Sequence, residues 1–285
     1  MALRQAQGPS RNDEAKVVEP VETPTKVFEM QMNKIGKYEF IAEPFHCDFS
    51  GRMFLGHLGN QMLNAADFHS TDRGFGMKYM MSIKRSWVLS RLAIEMEEMP
   101  GQHERYSVET WVESAMKFFT NRNYCVSGND GRVFGYGRSV WAMIDTETRQ
   151  PSDIFSIDNG AINDWIVADK PCPIEKGGRV KMSENAVFVR DIDVNYNDID
   201  INGHVNSVKY IEHVLDLWNI DWYREHRLKR FEIAYVAEAH EGDKLSFYRE
   251  QTAENEYCVR MVKTDSHVDK EVEVCRCKLV FVNRA

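Results

Sequence analysis

The chain runs through one order of elements twice, and this duplication limits its fold more than any other feature. Gly56-His57-Leu58 opens a helical segment in the first half, and Gly203-His204-Val205 opens one in the second. Tyr124-Cys125-Val126 is echoed by Tyr257-Cys258-Val259. Between these landmarks each half carries a strand-like run ending in acid, Leu92–Glu98 and then Phe231–Glu238. The offsets between copies drift, as loop changes between duplicated domains would cause.

Each half reads as a strand, a helix and then several long strands. In the second half Val205, Val208, Ile211, Leu215 and Trp218 recur at helical spacing. Strands are expected at 230–238, 244–250, 256–263 and 271–283, with turns at His240-Glu241-Gly242-Asp243 and Thr264-Asp265-Ser266. Asn129-Asp130-Gly131 is a hairpin signal between long strands of the first half. One helix against a long antiparallel sheet, repeated, is an α+β architecture. The expected layout is a disordered tail over 1–26, a first domain over 27–150, a linker over 151–184 and a second domain over 185–285.

Composition narrows the function. The net charge of −8 argues against general nucleic-acid binding, and no apolar run approaches the roughly 18 residues that span a membrane. The six cysteines sit mostly in apolar, strand-like segments, and no run resembles a signal peptide. They read as reduced core thiols in a cytoplasmic protein.

Residues 198–213, DIDINGHVNSVKYIEH, admit two chemistries. Asp198, Asp200, Asn202 and Gly203 match the opening of a calcium loop, which must close with a bidentate Glu at its twelfth position. That position is Lys209, whose ammonium repels a cation. The alternation from Asp191 to Tyr196 is also a strand rather than an entering helix. The calcium reading fails.

The other chemistry is catalytic. His204 is expected at or near a helix N-terminus, where free N–H groups and the helix dipole favour negative charge. Such a place suits an oxyanion, and imidazole serves as a general base near neutral pH. Asp200, Asn202 and His204 alternate, so an extended segment would put all three on one side. Asp and Asn are equally at home in an Asx turn or a helix cap. The residues alone leave both readings open.

The stretch Asp198-Ile199-Asp200-Ile201-Asn202-Gly203-His204-Val205-Asn206-Ser207-Val208-Lys209-Tyr210 resembles the D-x-D-x-N-x-H-V-N-N-V-K-Y signature of the acyl-acyl carrier protein (acyl-ACP) thioesterases, with Ser207 in place of the second Asn. Trp87-Val88-Leu89-Ser90-Arg91 and Val108-Glu109-Thr110-Trp111-Val112 look like the first domain of that family. The resemblance implies two tandem hot-dog domains, each a long helix packed on an antiparallel sheet, with the acyl chain held in the first. It implies hydrolysis of the thioester of fatty acyl-ACP, and puts the catalytic positions on Asp200, Asn202, His204 and Glu238. Glu238 and His204 would share water activation, and Asn202 with N–H groups at the helix start would hold the carbonyl oxygen. Asp200 would orient its neighbours. Plant members carry Cys after the Glu; Ala239 stands here, so no thiol nucleophile is available at that place.

No cofactor and no metal is expected. The expected partner is acyl carrier protein with its phosphopantetheine-linked chain; nucleic acid and membrane insertion are not expected, and a homodimer is compatible with the reading. The rivals are a hot-dog acyl-coenzyme A thioesterase and a non-catalytic acyl-binding hot-dog protein. Arg224, Arg227, Lys229 and Arg230 form a basic run that reads either as a docking patch for the acidic carrier or as a solvated helix end. His57, the repeat-mate of His204, lacks a preceding Asp-x-Asn and is expected to be structural or pocket-lining.

Overall fold

The computed structural model describes residues 32–265 and 270–284, so the expected tail over 1–26 lies outside the described residues. In chain order the elements are β1 (Gly36–Ile41), α1 (Leu55–Asp72), α2 (Met77–Ser82), β2 (Arg85–Met96), β3 (Arg105–Ala115), β4 (Phe119–Gly128) and β5 (Val133–Asp145). The second half supplies β6 (Val187–Asp193), α3 (Ser207–Leu215), α4 (Ile220–Glu225), β7 (His226–Tyr235), β8 (Lys244–Ala253), β9 (Glu256–Asp265) and β10 (Lys270–Asn283).

The ten strands form one sheet in the order β1-β3-β4-β5-β2-β7-β10-β9-β8-β6. The first five strands and the last five repeat the same arrangement outward from a central seam. The echoed Tyr-Cys-Val triplets fall on β4 and β9, which are equivalent strands. At the seam Arg91–Glu95 of β2 pair antiparallel with Arg230–Ala234 of β7. Arg230 lies there between Glu95 and Glu232, at 2.7 Å from each.

Helix α1 buries Leu58, Met62, Ala65 and Ala66 against the sheet, and α3 buries Val208, Tyr210, Ile211 and Val214. The two helices differ in length, 18 residues against nine. The helical spacing of Leu215 and Trp218 overran the element: α3 stops at Leu215, and Asn219 caps a new short helix. Trp218 stays buried all the same, packing its ring edge-on to Tyr257 at 5.2 Å between centroids.

Between β5 and β6 the chain packs against the first half in places. A 3-10 segment, Ile154–Trp165, buries Ile154, Ile157 and Ile162 in a cluster with Phe75, Met80 and Met143. Farther on, Cys172 and Ile174 cover Trp111. All six cysteines are free thiols, and four of them are buried. Among the described residues no helix is long and apolar enough to cross a membrane.

Candidate active site

The loop before α3 departs from the extended segment that the alternation suggested. Ile199 and Val205 bridge, the Asp200 N–H donates to the His204 carbonyl at 2.9 Å, and the Gly203 N–H donates to the Asp200 carbonyl at 3.0 Å. Asp200 Oδ1 accepts the Asn202 N–H at 2.8 Å, closing an Asx turn. Gly203 takes φ +79°, a conformation that costs a glycine little. Asp200, Asn202 and His204 are therefore grouped by a tight turn, and Asn202 Nδ2 lies 3.4 Å from Asp200 Oδ2.

This turn is anchored from below. Asp198 is buried, accepts the Asn195 N–H in a capping box and meets His213 Nε2 of α3 at 2.9 Å. Its backbone carbonyl takes the Asn206 N–H at 2.8 Å. The first residue of the apparent calcium loop thus ties the turn to the helix.

His204 also sits farther from α3 than expected. Asn206 is the N-cap, its side chain accepting the Val208 N–H at 2.9 Å. The N–H groups of Val205, Asn206 and Val208 are engaged by Ala239, Asp198 and Asn206 respectively. These three helix-start donors are not free for an oxyanion, and the Asn202 amide is left as the side-chain donor in the turn.

Glu238 comes from the loop after β7. Ala239, beside it, donates its N–H to the Tyr210 hydroxyl at 3.1 Å and accepts the Val205 N–H at 2.8 Å. Tyr210 packs edge-on to Tyr235, whose hydroxyl donates to the Ser207 carbonyl at 2.9 Å. Bonds to the residues next to His204 and Glu238 fix the two loops against each other. The outcome is His204 Nε2 at 3.4 Å from Glu238 Oε2.

The other Glu238 oxygen, Oε1, is met by Arg149 from the first half. Arg149 occupies a turn with φ +61°, its N–H donating to the Asp145 carbonyl at 2.9 Å. The backbone N–H groups of Thr148 and Glu147 hold the Asp145 carboxyl below its ordinary value and brace this turn. Nothing in the sequence marked Arg149.

His240 stands edge-on to His204, centroids 4.9 Å apart, and with Glu238 the two histidines bring ligand atoms within 4.8 Å of one another. Two His and a Glu are a donor set that suits zinc. The Glu238 carboxylate is already shared between Arg149 and His204, so a cation would have to compete with a guanidinium.

Asp200, Asn202, His204 and Glu238 line one cavity of about 1020 Å³. The first half supplies most of the remaining walls, with Leu63, Phe75, Met80, Trp87, Leu89 and Trp141 among them, and Val205, Tyr210 and Tyr235 line it from the second half. On α1, Leu63 and Ala66 face this space, while Leu58 and Met62 point only into the core. His57 stands apart, its ring stacked on His46 at 4.1 Å.

The basic run is neutralised in place. Arg224 pairs with Asp221 at 2.7 Å, Arg227 and Lys229 with Glu97 at 3.9 and 3.3 Å, and Arg230 with Glu95 and Glu232. A surface whose cations already have partners attracts an acidic protein weakly, so the docking-patch reading loses its support.

Two helix-on-sheet halves sharing one continuous sheet, with an acid–imidazole site opening on a deep cavity, define a double hot-dog protein. The N-terminal domain of the acyl-ACP thioesterases matches residues 33–156, and the C-terminal domain matches residues 181–281. The chain belongs to the acyl-ACP thioesterase family. It is 51% identical to an acyl-ACP thioesterase of known structure from Bacteroides thetaiotaomicron, covering 87% of this chain and 98% of that one with a TM-score of 0.80. The 12:0-ACP thioesterase of Umbellularia californica shares the fold at 19% identity, with a TM-score of 0.76 over 89% of this chain and 99% of that one. A chloroplastic palmitoyl-acyl carrier protein thioesterase of Gossypium hirsutum is 28% identical over 58% of this chain, and the match spans 41% of that protein's length.

Proposed function

We propose that this protein hydrolyses the thioester between a fatty acyl chain and acyl carrier protein, releasing the free acid and ending chain elongation. The observation that carries the reading is the meeting of His204 and Glu238 at 3.4 Å, on a cavity of about 1020 Å³. In this reading the 27–150 half holds the chain and the 185–285 half supplies Asp200, Asn202, His204 and Glu238. The protein works in the cytoplasm, and a homodimer is compatible with the assignment.

The chemistry follows from the geometry. Water held by the His204–Glu238 pair attacks the thioester carbonyl, and the pair takes up its proton. A new C–O bond forms while the carbonyl electrons move to oxygen, where the Asn202 amide donates to the developing charge. Collapse breaks the C–S bond, and the proton returns from the pair to the departing thiolate. Asp200 holds the Asn202 turn in shape through its Asx bond.

Side-by-side turnover of acyl-ACP and acyl-coenzyme A tests this function. Higher kcat/KM on the carrier substrate is expected. Preference for coenzyme A would favour the coenzyme A rival, and absence of hydrolysis on both would leave an acyl-binding protein.

A further inference from the structure

We propose that the deep end of the cavity is a subsite for an oxygen-bearing acyl chain, one with a hydroxyl or carboxylate on its far carbons, and that Arg122 is its main donor. The proposal rests on the reading of the cavity as an acyl site and names the chain that site would take.

Arg122 lies on β4 with its side chain turned toward α1, and the residue is only 6% exposed. Its guanidinium donates to Thr110 Oγ1 and to Ser70 Oγ, both at 3.1 Å. These are neutral hydroxyls, and among the described residues Arg122 has no carboxylate partner. Arg73 lines the same region with a side chain 4% exposed; its one carboxylate neighbour, Asp72, is 4.0 Å away and half exposed. Arg73 Nε is buried with no hydrogen-bond partner. Between them lies buried His69, whose imidazole is pushed down to about 3, first by burial and then by the Arg122 charge.

Two guanidinium groups with so little counter-charge are an expensive thing to bury, because a desolvated cation needs a partner to offset the lost hydration. Carboxylates are the geometric complement of guanidinium. Both arginines, together with Ser70 and Thr120, face the cavity. The Arg73 terminal nitrogens donate to the His69 and Asn33 carbonyls, so both arginines have neutral acceptors. A ligand oxygen would add the counter-charge and the acceptor for Arg73 Nε that the protein does not supply.

The distance suits a chain reaching in from the site. Arg122 on β4 pairs with Ser139 of β5, and β5 is separated from β7 by β2 alone. The row through Arg122, Ser139 and Leu92 meets β7 at Ile233, three strand spacings or about 14 Å away, and Glu238 lies a further five residues, about 16 Å of extended chain, beyond Ile233. The two legs combine to about 21 Å, and a carbon chain advancing about 1.2 Å per bond spans that with roughly seventeen bonds. The walls between, Trp87, Leu89, Trp141 and Met80, are apolar. The cavity therefore combines an apolar wall with a cationic region around Arg73 and Arg122.

Calorimetry with non-hydrolysable amide analogues of acyl-pantetheine tests the subsite without requiring turnover. The pantetheine arm fixes the direction of entry, and the chains would be octadecanoyl, 18-hydroxyoctadecanoyl and 17-carboxyheptadecanoyl. One or both oxygenated chains should bind at least about tenfold more tightly than the plain chain, and Arg122→Met should erase that difference. A gain for the carboxylate alone identifies an ionic subsite, and a gain for the hydroxyl alone a neutral one. Equal or tighter binding of the plain chain by the unaltered protein overturns the proposal, so the result does not depend on the variant folding. An unchanged ratio in well-folded Arg122→Met overturns it too. Hydrolysis of octadecanoyl-ACP, assayed in parallel, reports on the activity separately: binding in the expected order without turnover would sink the activity and leave the subsite standing.

Discussion

Arg149 and Glu238 come from opposite halves of the repeat and meet as an ion pair beside His204. The carboxylate is gripped on both sides, by guanidinium at Oε1 and imidazole at Oε2. Its orientation therefore depends on a turn that belongs to the other copy. Arg149→Met should lower kcat by about tenfold or more, because loss of orientation in a proton-transferring group is costly. The melting temperature should barely change, since exposed ion pairs contribute about 0–1 kcal/mol. Added guanidinium should restore part of the rate. Wild-type turnover in the variant would remove Arg149 from the positioning of Glu238.

His204→Ala and Glu238→Gln should each reduce turnover of acyl-ACP by roughly two to four orders of magnitude. The double variant should be little worse than either single one, as expected of groups that act as a unit. Additive losses in folded proteins would show that the two side chains act in separate steps.

Tyr210→Phe removes one hydroxyl at the Ala239 N–H, a buried donor with no other partner in that loop. The unsatisfied group should cost about 1–3 kcal/mol in urea unfolding. Turnover should fall as well, because the same bond fixes the loop that carries Glu238. A loss of stability with kcat unchanged would separate the lock from the chemistry.

His69 gives the fold an acid-sensitive step. Burial holds its folded value near 3 against an ordinary 6.5, so between those values the unfolded chain binds the extra proton. Stability is fully present above pH 6.5 and is lost as pH falls toward 3, by up to about 1.4 kcal/mol per unit. Denaturant midpoints measured from pH 7 to 4 should show this slope, and His69→Gln should flatten it. A slope unaffected by that substitution would assign the acid sensitivity to other groups.

Much of the fold was legible in the chain because both periods were clean. The strands 244–250, 256–263 and 271–283 lie within β8, β9 and β10, and the Tyr-Cys-Val echoes landed on equivalent strands. Around His204 the residues leave an extended segment and an Asx turn equally open; Asn202-Gly203 is itself a turn signal, and the structure takes the turn. The packing of Ile154, Ile157 and Ile162 leaves no helical spacing to read because Asp158, Asn159 and Gly160 take positive φ between them. Arg149 could not be found at all. Its reach depends on a left-handed turn and on a contact with Glu238, 89 residues along the chain, and neither leaves a local pattern. The basic run leaves two readings open for a related reason: its partners Asp221 and Glu232 are local, but Glu95 and Glu97 lie across the seam and are invisible to a reading of the run itself.

That seam has an evolutionary consequence. Two identical chains pairing through β2-like strands would have to build each site from the same sequence, and any residue improving one role would appear in both. Joining the copies covalently removes the constraint. On the proposed function, one copy keeps the proton-handling groups while its twin holds the chain, and the arginine that reaches back across the join is the twin's own contact with Glu238.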